Sequence, residues 1–124
     1  GGGNDTLLGG AGIDSLEGGI GVDRFTFQDA LVPANADHVV DFELGVDKIV
    51  LENAVFTALA AGALPAGAFV LGTAAGDADD RIIYDAATGH LFYDSDGTGA
   101  TAAVLFATLD SMPATLAATD FTVI

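Results

Sequence analysis

The chain has 124 residues, 51% of them apolar, which is enough for one hydrophobic core. Eighteen acidic residues against three basic ones give a net charge of -15, which argues against nucleic acid and anionic membranes as partners and favours a divalent cation. Cysteine is absent, so there is no disulfide framework or thiolate metal site, and no apolar run reaches the roughly 20 residues that membrane insertion needs.

Composition changes near residue 27, dividing the chain into regions 1–27 and 28–124. The first region repeats every nine residues. Gly9-Gly10-Ala11-Gly12-Ile13-Asp14-Ser15-Leu16-Glu17 is followed by Gly18-Gly19-Ile20-Gly21-Val22-Asp23-Arg24-Phe25-Thr26. Gly1-Gly2-Gly3-Asn4-Asp5-Thr6-Leu7-Leu8 fits the same register without its first glycine, so the chain is expected to begin inside a repeat. Asp5, Asp14 and Asp23 fall nine apart, as do Leu7, Leu16 and Phe25. A flexible glycine-rich linker does not hold such a spacing.

The nonapeptide has a physical logic. Its three glycines permit positive φ and close backbone packing, so the loop turns carbonyl oxygens inward beside the Asp carboxylate. Calcium prefers such hard oxygen ligands, roughly six to eight of them, which one loop cannot supply and two stacked loops can. The last three residues of each unit form a short strand with one large side chain inside, making half a turn of a flattened β-helix. Alternate repeats share an edge. Asp5 and Asp23 are therefore expected to face one ion, and Asp14 lies on the opposite edge. The partner of Asp14 comes from a preceding repeat or from the chain that follows. The carbonyls of Gly1, Gly3, Gly10, Gly12, Gly19 and Gly21 complete the candidate ligand set.

The second region reads as all-β. Residues 25–27 continue the last repeat, and strands at 38–42 and 47–51 flank the turn Glu43-Leu44-Gly45-Val46. Residues 53–61 are expected as one short helix ending at Gly62, with Pro65 beyond it. A strand follows at 68–71. Residues 81–85 and 90–94 form a hairpin about Ala86-Ala87-Thr88-Gly89. Another strand spans 102–109, and 120–124 is an extended apolar tail.

Other polar groups carry weaker signals. Asp41 and Asp47 have two readings. They are extra calcium ligands closing the end of the stack, or Asp41 starts a turn and Asp47 pairs with Lys48 or caps a strand. The second reading is slightly favoured. Asp94-Ser95-Asp96-Gly97-Thr98-Gly99 resembles the start of an EF-hand loop. It lacks the third acidic residue before the first glycine and the closing Glu, so a polar hairpin turn is expected. Asp77-Ala78-Asp79-Asp80 reads as a solvated loop. His38 and His90 belong to no zinc-protease motif, and Ser15, Ser95 and Ser111 to no nucleophile elbow, so no catalytic constellation is expected.

The repeats resemble the RTX, or haemolysin-type, calcium-binding repeat, Gly-Gly-x-Gly-x-Asp-x-apolar-x. His38-Val39-Val40-Asp41-Phe42-Glu43-Leu44-Gly45-Val46-Asp47-Lys48-Ile49 is similar to the segment after the repeats in serralysin-type secreted proteases. So is Ile82-Ile83-Tyr84-Asp85-Ala86-Ala87-Thr88-Gly89-His90-Leu91-Phe92-Tyr93-Asp94-Ser95-Asp96-Gly97. Asp120-Phe121-Thr122-Val123-Ile124 resembles the acidic-then-apolar C-terminus read by type I secretion systems. The resemblance implies a short parallel β-roll in 1–27 and a C-terminal β-sandwich-like domain in 28–124. It implies a calcium-binding, non-catalytic module of a secreted or cell-surface bacterial protein. Such a module folds on calcium outside the cell, is exported by an ABC transporter on an uncleaved C-terminal signal, and is mainly monomeric as a fragment. Any catalytic domain would lie upstream. The alternative is an adhesive or polysaccharide-binding module, which the scarcity of basic residues and the absence of Trp disfavour.

Overall fold

Strand formation in the first half of the chain follows one recurring step: an Asp, an intervening residue and a large apolar residue. The step occurs at Asp5-Thr6-Leu7, Asp14-Ser15-Leu16, Asp23-Arg24-Phe25, Asp37-His38-Val39 and Asp47-Lys48-Ile49. In the computed structural model, which describes residues 2–29, 31–99 and 102–124, each becomes a short strand. These are β1 (Thr6–Leu8), β2 (Ser15–Leu16), β3 (Arg24–Phe27), β4 (Asp37–Val39) and β5 (Lys48–Leu51). The apolar residue of each step turns inward. Leu16, Phe25, Val39 and Ile49 are buried, and Leu7 packs against the same core. Burying a side chain of this size stabilises the fold by about 1.5–3 kcal/mol.

The five strands alternate between two sheets. β1, β3 and β5 run parallel in one sheet, with Thr6 opposite Arg24 and Arg24 opposite Lys48. β2 and β4 run parallel in the other, with Ser15 opposite His38. The remaining strands extend these same sheets. They are β6 (Gly62–Ala63), β7 (Phe69–Leu71), β8 (Ile82–Asp85), β9 (His90–Tyr93), β10 (Val104–Leu109) and β11 (Phe121–Val123). The first sheet has the order β1-β3-β5-β11-β6 and the second β2-β4-β10-β9-β8-β7. Both are mixed, because β11 pairs parallel to β5 and antiparallel to β6, and β10 parallel to β4 and antiparallel to β9.

One core joins the two sheets. Phe27 and Phe56 each meet the Phe106 ring edge-on, and Phe56 meets Tyr93 likewise, at centroid distances of 5.4, 5.0 and 5.1 Å. The expected hairpin is present, with Ile82 opposite Tyr93 and Asp85 opposite His90. Its turn closes on Gly89, at φ 77°, where a Cβ would overlap the Leu109 carbonyl oxygen.

Several strand ends differ from expectation, most by one residue. β4 stops at Val39 because the Asp41 side chain is drawn into hydrogen bonds with loop 18–23. Ala68 closes a 3-10 turn rather than opening β7. β10 begins at Val104, so residues 102 and 103, expected in the strand, lie outside it. The expected helix at 53–61 is absent. Among the described residues the only helical elements are three-residue 3-10 turns at Pro33–Asn35, Ala66–Ala68 and Ala118–Asp120. The 53–61 segment forms consecutive turns instead, with the amides of Val55 and Phe56 both on the Glu52 carbonyl. The Ala58 amide, which a helix would satisfy internally, donates to Tyr93 Oη at 2.9 Å. Packing of Phe56 in the aromatic core thus overrides a weak local preference.

Candidate metal centre

The strand register stacks the Asp residues that open the strands into two ladders. On one edge are Asp5, Asp23 and Asp47, and on the other Asp14 and Asp37. In each ladder an Asp donates its backbone N–H to the carboxylate of the Asp one full turn later. Asp5 N–H donates to Asp23 Oδ1 at 3.0 Å across 18 residues, and Asp23 N–H to Asp47 Oδ1 at 2.9 Å across 24. Asp14 N–H donates to Asp37 Oδ1 at 2.8 Å across 23. Main-chain bonds continue each rung: Arg24 N–H to the Asp5 carbonyl, Lys48 N–H to the Asp23 carbonyl and His38 N–H to the Asp14 carbonyl.

Further side-chain oxygens tie successive loops together. Asn4 Oδ1 accepts the Val22 amide and Asn35 Oδ1 the Gly12 amide, both at 2.8 Å. Asp41 accepts the amides of Gly18 and Gly19 at 2.9 and 2.7 Å, and the second oxygen of Asp47 accepts the Glu43 amide at 2.9 Å. The glycines allow this closeness. A Cβ on Gly21, at φ 117°, would overlap the Gly3 carbonyl oxygen. A Cβ on Gly9 would overlap the Asp37 carboxylate, and one on Gly18 the Asp23 carboxylate.

The electrostatics are one-sided. Asp23 is 0% exposed and its Oδ2 has no hydrogen-bond partner; Asp14 Oδ2 is also buried without one. Burial pushes the Asp37 carboxyl above its usual value, the charges of Asp14 and Asp29 add to this, and the Asp14 amide and His38 oppose it. Among the described residues the only ion pair joins His38 and Asp110, across an exposed 2.8 Å contact away from Asp23. Taking a carboxylate out of water without a partner costs several kcal/mol. The donors at hand are carboxylate, amide and backbone carbonyl oxygens, with no sulfur, which suits a hard divalent cation such as calcium. Among the described residues no three acidic, histidine or cysteine side chains converge into a cage. An ion here would draw most of its ligands from loop carbonyls.

The structure brings Asp5 and Asp23 together, and it gives Asp14 the partner Asp37 from the chain that follows the repeats. Gly3, Gly10, Gly12, Gly19 and Gly21 line the loops with positive φ, and Gly1 lies outside the described residues. Asp41 and Asp47 reach back to loop 18–23, and Lys48 Nζ donates to the Thr119 carbonyl rather than to Asp47. Sequence reasoning missed Asn4, Asn35 and Asp37. The signal was the Asp-x-apolar step at Asp37-His38-Val39, which a count of nine does not reach.

Away from the ladders, loop 77–80 differs from the solvated loop expected. Asp80 is buried and holds the amides of Gly76 and Asp77. Asp94 is buried too, and burial pushes its carboxyl up, with Asp96 alongside adding to the effect and the amides of Asp96 and Gly97 opposing it. No family model matches the sequence, and no characterised protein matches it significantly. Among the described residues no helix is long and apolar enough to cross a membrane.

Proposed function

We propose that this chain is a calcium-binding, non-catalytic module of the RTX type from a secreted bacterial protein. In this reading β1 to β5 form a short parallel β-roll that begins in 1–27 and runs on into 28–124, where the rest of the chain packs as a sandwich-like cap. The single observation that carries it is Asp23: a fully buried carboxylate, one oxygen without a partner, inside a chain of net charge -15. A calcium ion shared by Asp23, Asp5 and the surrounding loop carbonyls supplies the missing positive charge, and a second ion serves Asp14 and Asp37.

Calcium then acts as a folding switch. Without it the acidic loops repel one another and bury little apolar surface. An ion that binds only the folded chain at 100 times its dissociation constant stabilises it by about 2.7 kcal/mol per site. Export through a type I transporter fits the same scheme. Phe121 and Val123, in the proposed signal, are buried in the folded sheet, so recognition requires the unfolded chain. The test is circular dichroism and thermal melting in chelator and in millimolar calcium. Calcium is expected to induce strand signal and raise the melting temperature. Superimposable spectra and melts would sink the reading.

A further inference from the structure

Charge is spread unevenly along this chain. Residues 53–76 contain no Asp, Glu, Lys, Arg or His, and neither do residues 111–119, although the net charge is -15. The fold brings these two stretches together. Phe69, Val70 and Leu71 line one groove with Leu116, Ala117 and Ala118, and no charged side chain among the described residues lines it.

The same end of the molecule carries two sheet margins, because β6 and β7 are each the last strand of their sheet. β6 offers only Gly62 and Ala63, whereas β7 presents Phe69, Val70 and Leu71. The Gly72 amide donates to the Tyr84 carbonyl in β8, so alternation along the strand turns the amide and carbonyl of Leu71 outward. Sheet edges are blunted by charges, prolines, bulges or shortness, and β7 has only its length of three residues. Leu71 is 53% exposed and lies on the same face of the strand as Phe69, whose ring meets Phe121 at 5.4 Å. The opposite margins, β1 and β2, directly follow Asp5 and Asp14.

We infer that β7 and the groove beside it are the contact surface for a second copy of this chain, with the two β7 strands pairing antiparallel about a twofold axis. Charge decides the occupant. Contact through the loops of the roll would set acidic surface against acidic surface, whereas nothing in this groove repels its twin. A cationic partner would be drawn to the acidic loops instead. With the axis at Val70, the partner's Leu71 falls opposite Phe69 on the same face, so each Leu71 enters the other copy's groove beside Leu116. The contact is small, which makes the dimer weak and concentration-dependent; the monomer implied by the repeat resemblance is its dilute form. This inference is independent of the calcium reading.

The test is sedimentation equilibrium of the full chain in calcium buffer at increasing protein concentration, for wild type, Leu71→Lys and Leu8→Lys. Leu8, on β1, is 48% exposed, so the two variants carry the same charge at opposite margins. Wild type is expected to approach twice the chain mass, and added salt should strengthen the dimer by screening the repulsion between copies. Leu71→Lys should weaken it about tenfold or more, because the buried charge enters the contact twice. Leu8→Lys should leave it unchanged. A monomer at every concentration overturns the inference, leaving the edge to a strand of another protein. A dimer that Leu71→Lys spares, or that Leu8→Lys weakens instead, overturns it as well.

Discussion

Replacing Asp23 by Asn separates a buried metal ligand from a buried structural carboxylate, because the two roles predict opposite signs. Asn keeps an oxygen that accepts the Asp5 amide, so the 3.0 Å rung survives. What changes is Oδ2, buried against Gly18 without a partner, which loses its charge. In chelator that charge is uncompensated, and removing it should stabilise the fold by about 1–3 kcal/mol. In saturating calcium the same change removes a ligand, and loss of one site at 100 times its dissociation constant costs about 2.7 kcal/mol. At roughly 4 °C per kcal/mol for a chain of this size, the shifts are readily measured. The assay is urea unfolding followed by circular dichroism in the same sucrose buffer, which favours the compact state, with either chelator or calcium. A shift of the same sign in both buffers would refute the argument.

Gly18→Ala should destabilise the module by about 2–5 kcal/mol, combining overpacking with displacement of the Asp23 carboxylate from the Asp5 amide. Gly2→Ala, where a Cβ meets nothing, should stay within about 0.5 kcal/mol, and urea midpoints compare the two. Tyr84→Phe removes a hydroxyl buried in the core without a partner and should leave stability unchanged or raise it by about 1 kcal/mol in a thermal melt. Asp94 has a carboxyl raised above its unfolded value by burial and by Asp96, so its ionisation works against folding. In chelator its contribution should improve as pH falls from neutral through the raised value and level off below the ordinary 3.8. Melting temperature against pH should be flatter for Asp94→Asn, and an identical profile would contradict this.

The parts of the fold legible in the sequence were those with a short, regular period. The nine-residue spacing placed Asp5 beside Asp23, and the alternation around Ala86-Ala87-Thr88-Gly89 located the hairpin. The ladders continue beyond the repeats at offsets of 23 and 24 residues, because the intervening chain is longer. Asp37 was therefore overlooked, and Asp47 was noticed without its partner. Only the Asp-x-apolar step survives that change of length. The segment at 53–61 failed for another reason. Its Ala residues and the following Gly62 suggest a helix, but Phe56 and the Tyr93 hydroxyl come from opposite ends of the packing problem and outweigh local preference. Burial of Asp80 was invisible too, since its amide donors are set by the turn, not by the composition of the loop.

β11 does not sit at a sheet margin; it lies between β5 and β6, with Phe121 opposite Ile49 and Val123 opposite both Leu51 and Gly62. The sheet begun by the earliest strands is thus completed only by the latest. A chain lacking residues 121–123 keeps β1, β3 and β5 paired but loses the strand that links β6 to them. Trimming those residues should therefore release β6 as well as β11.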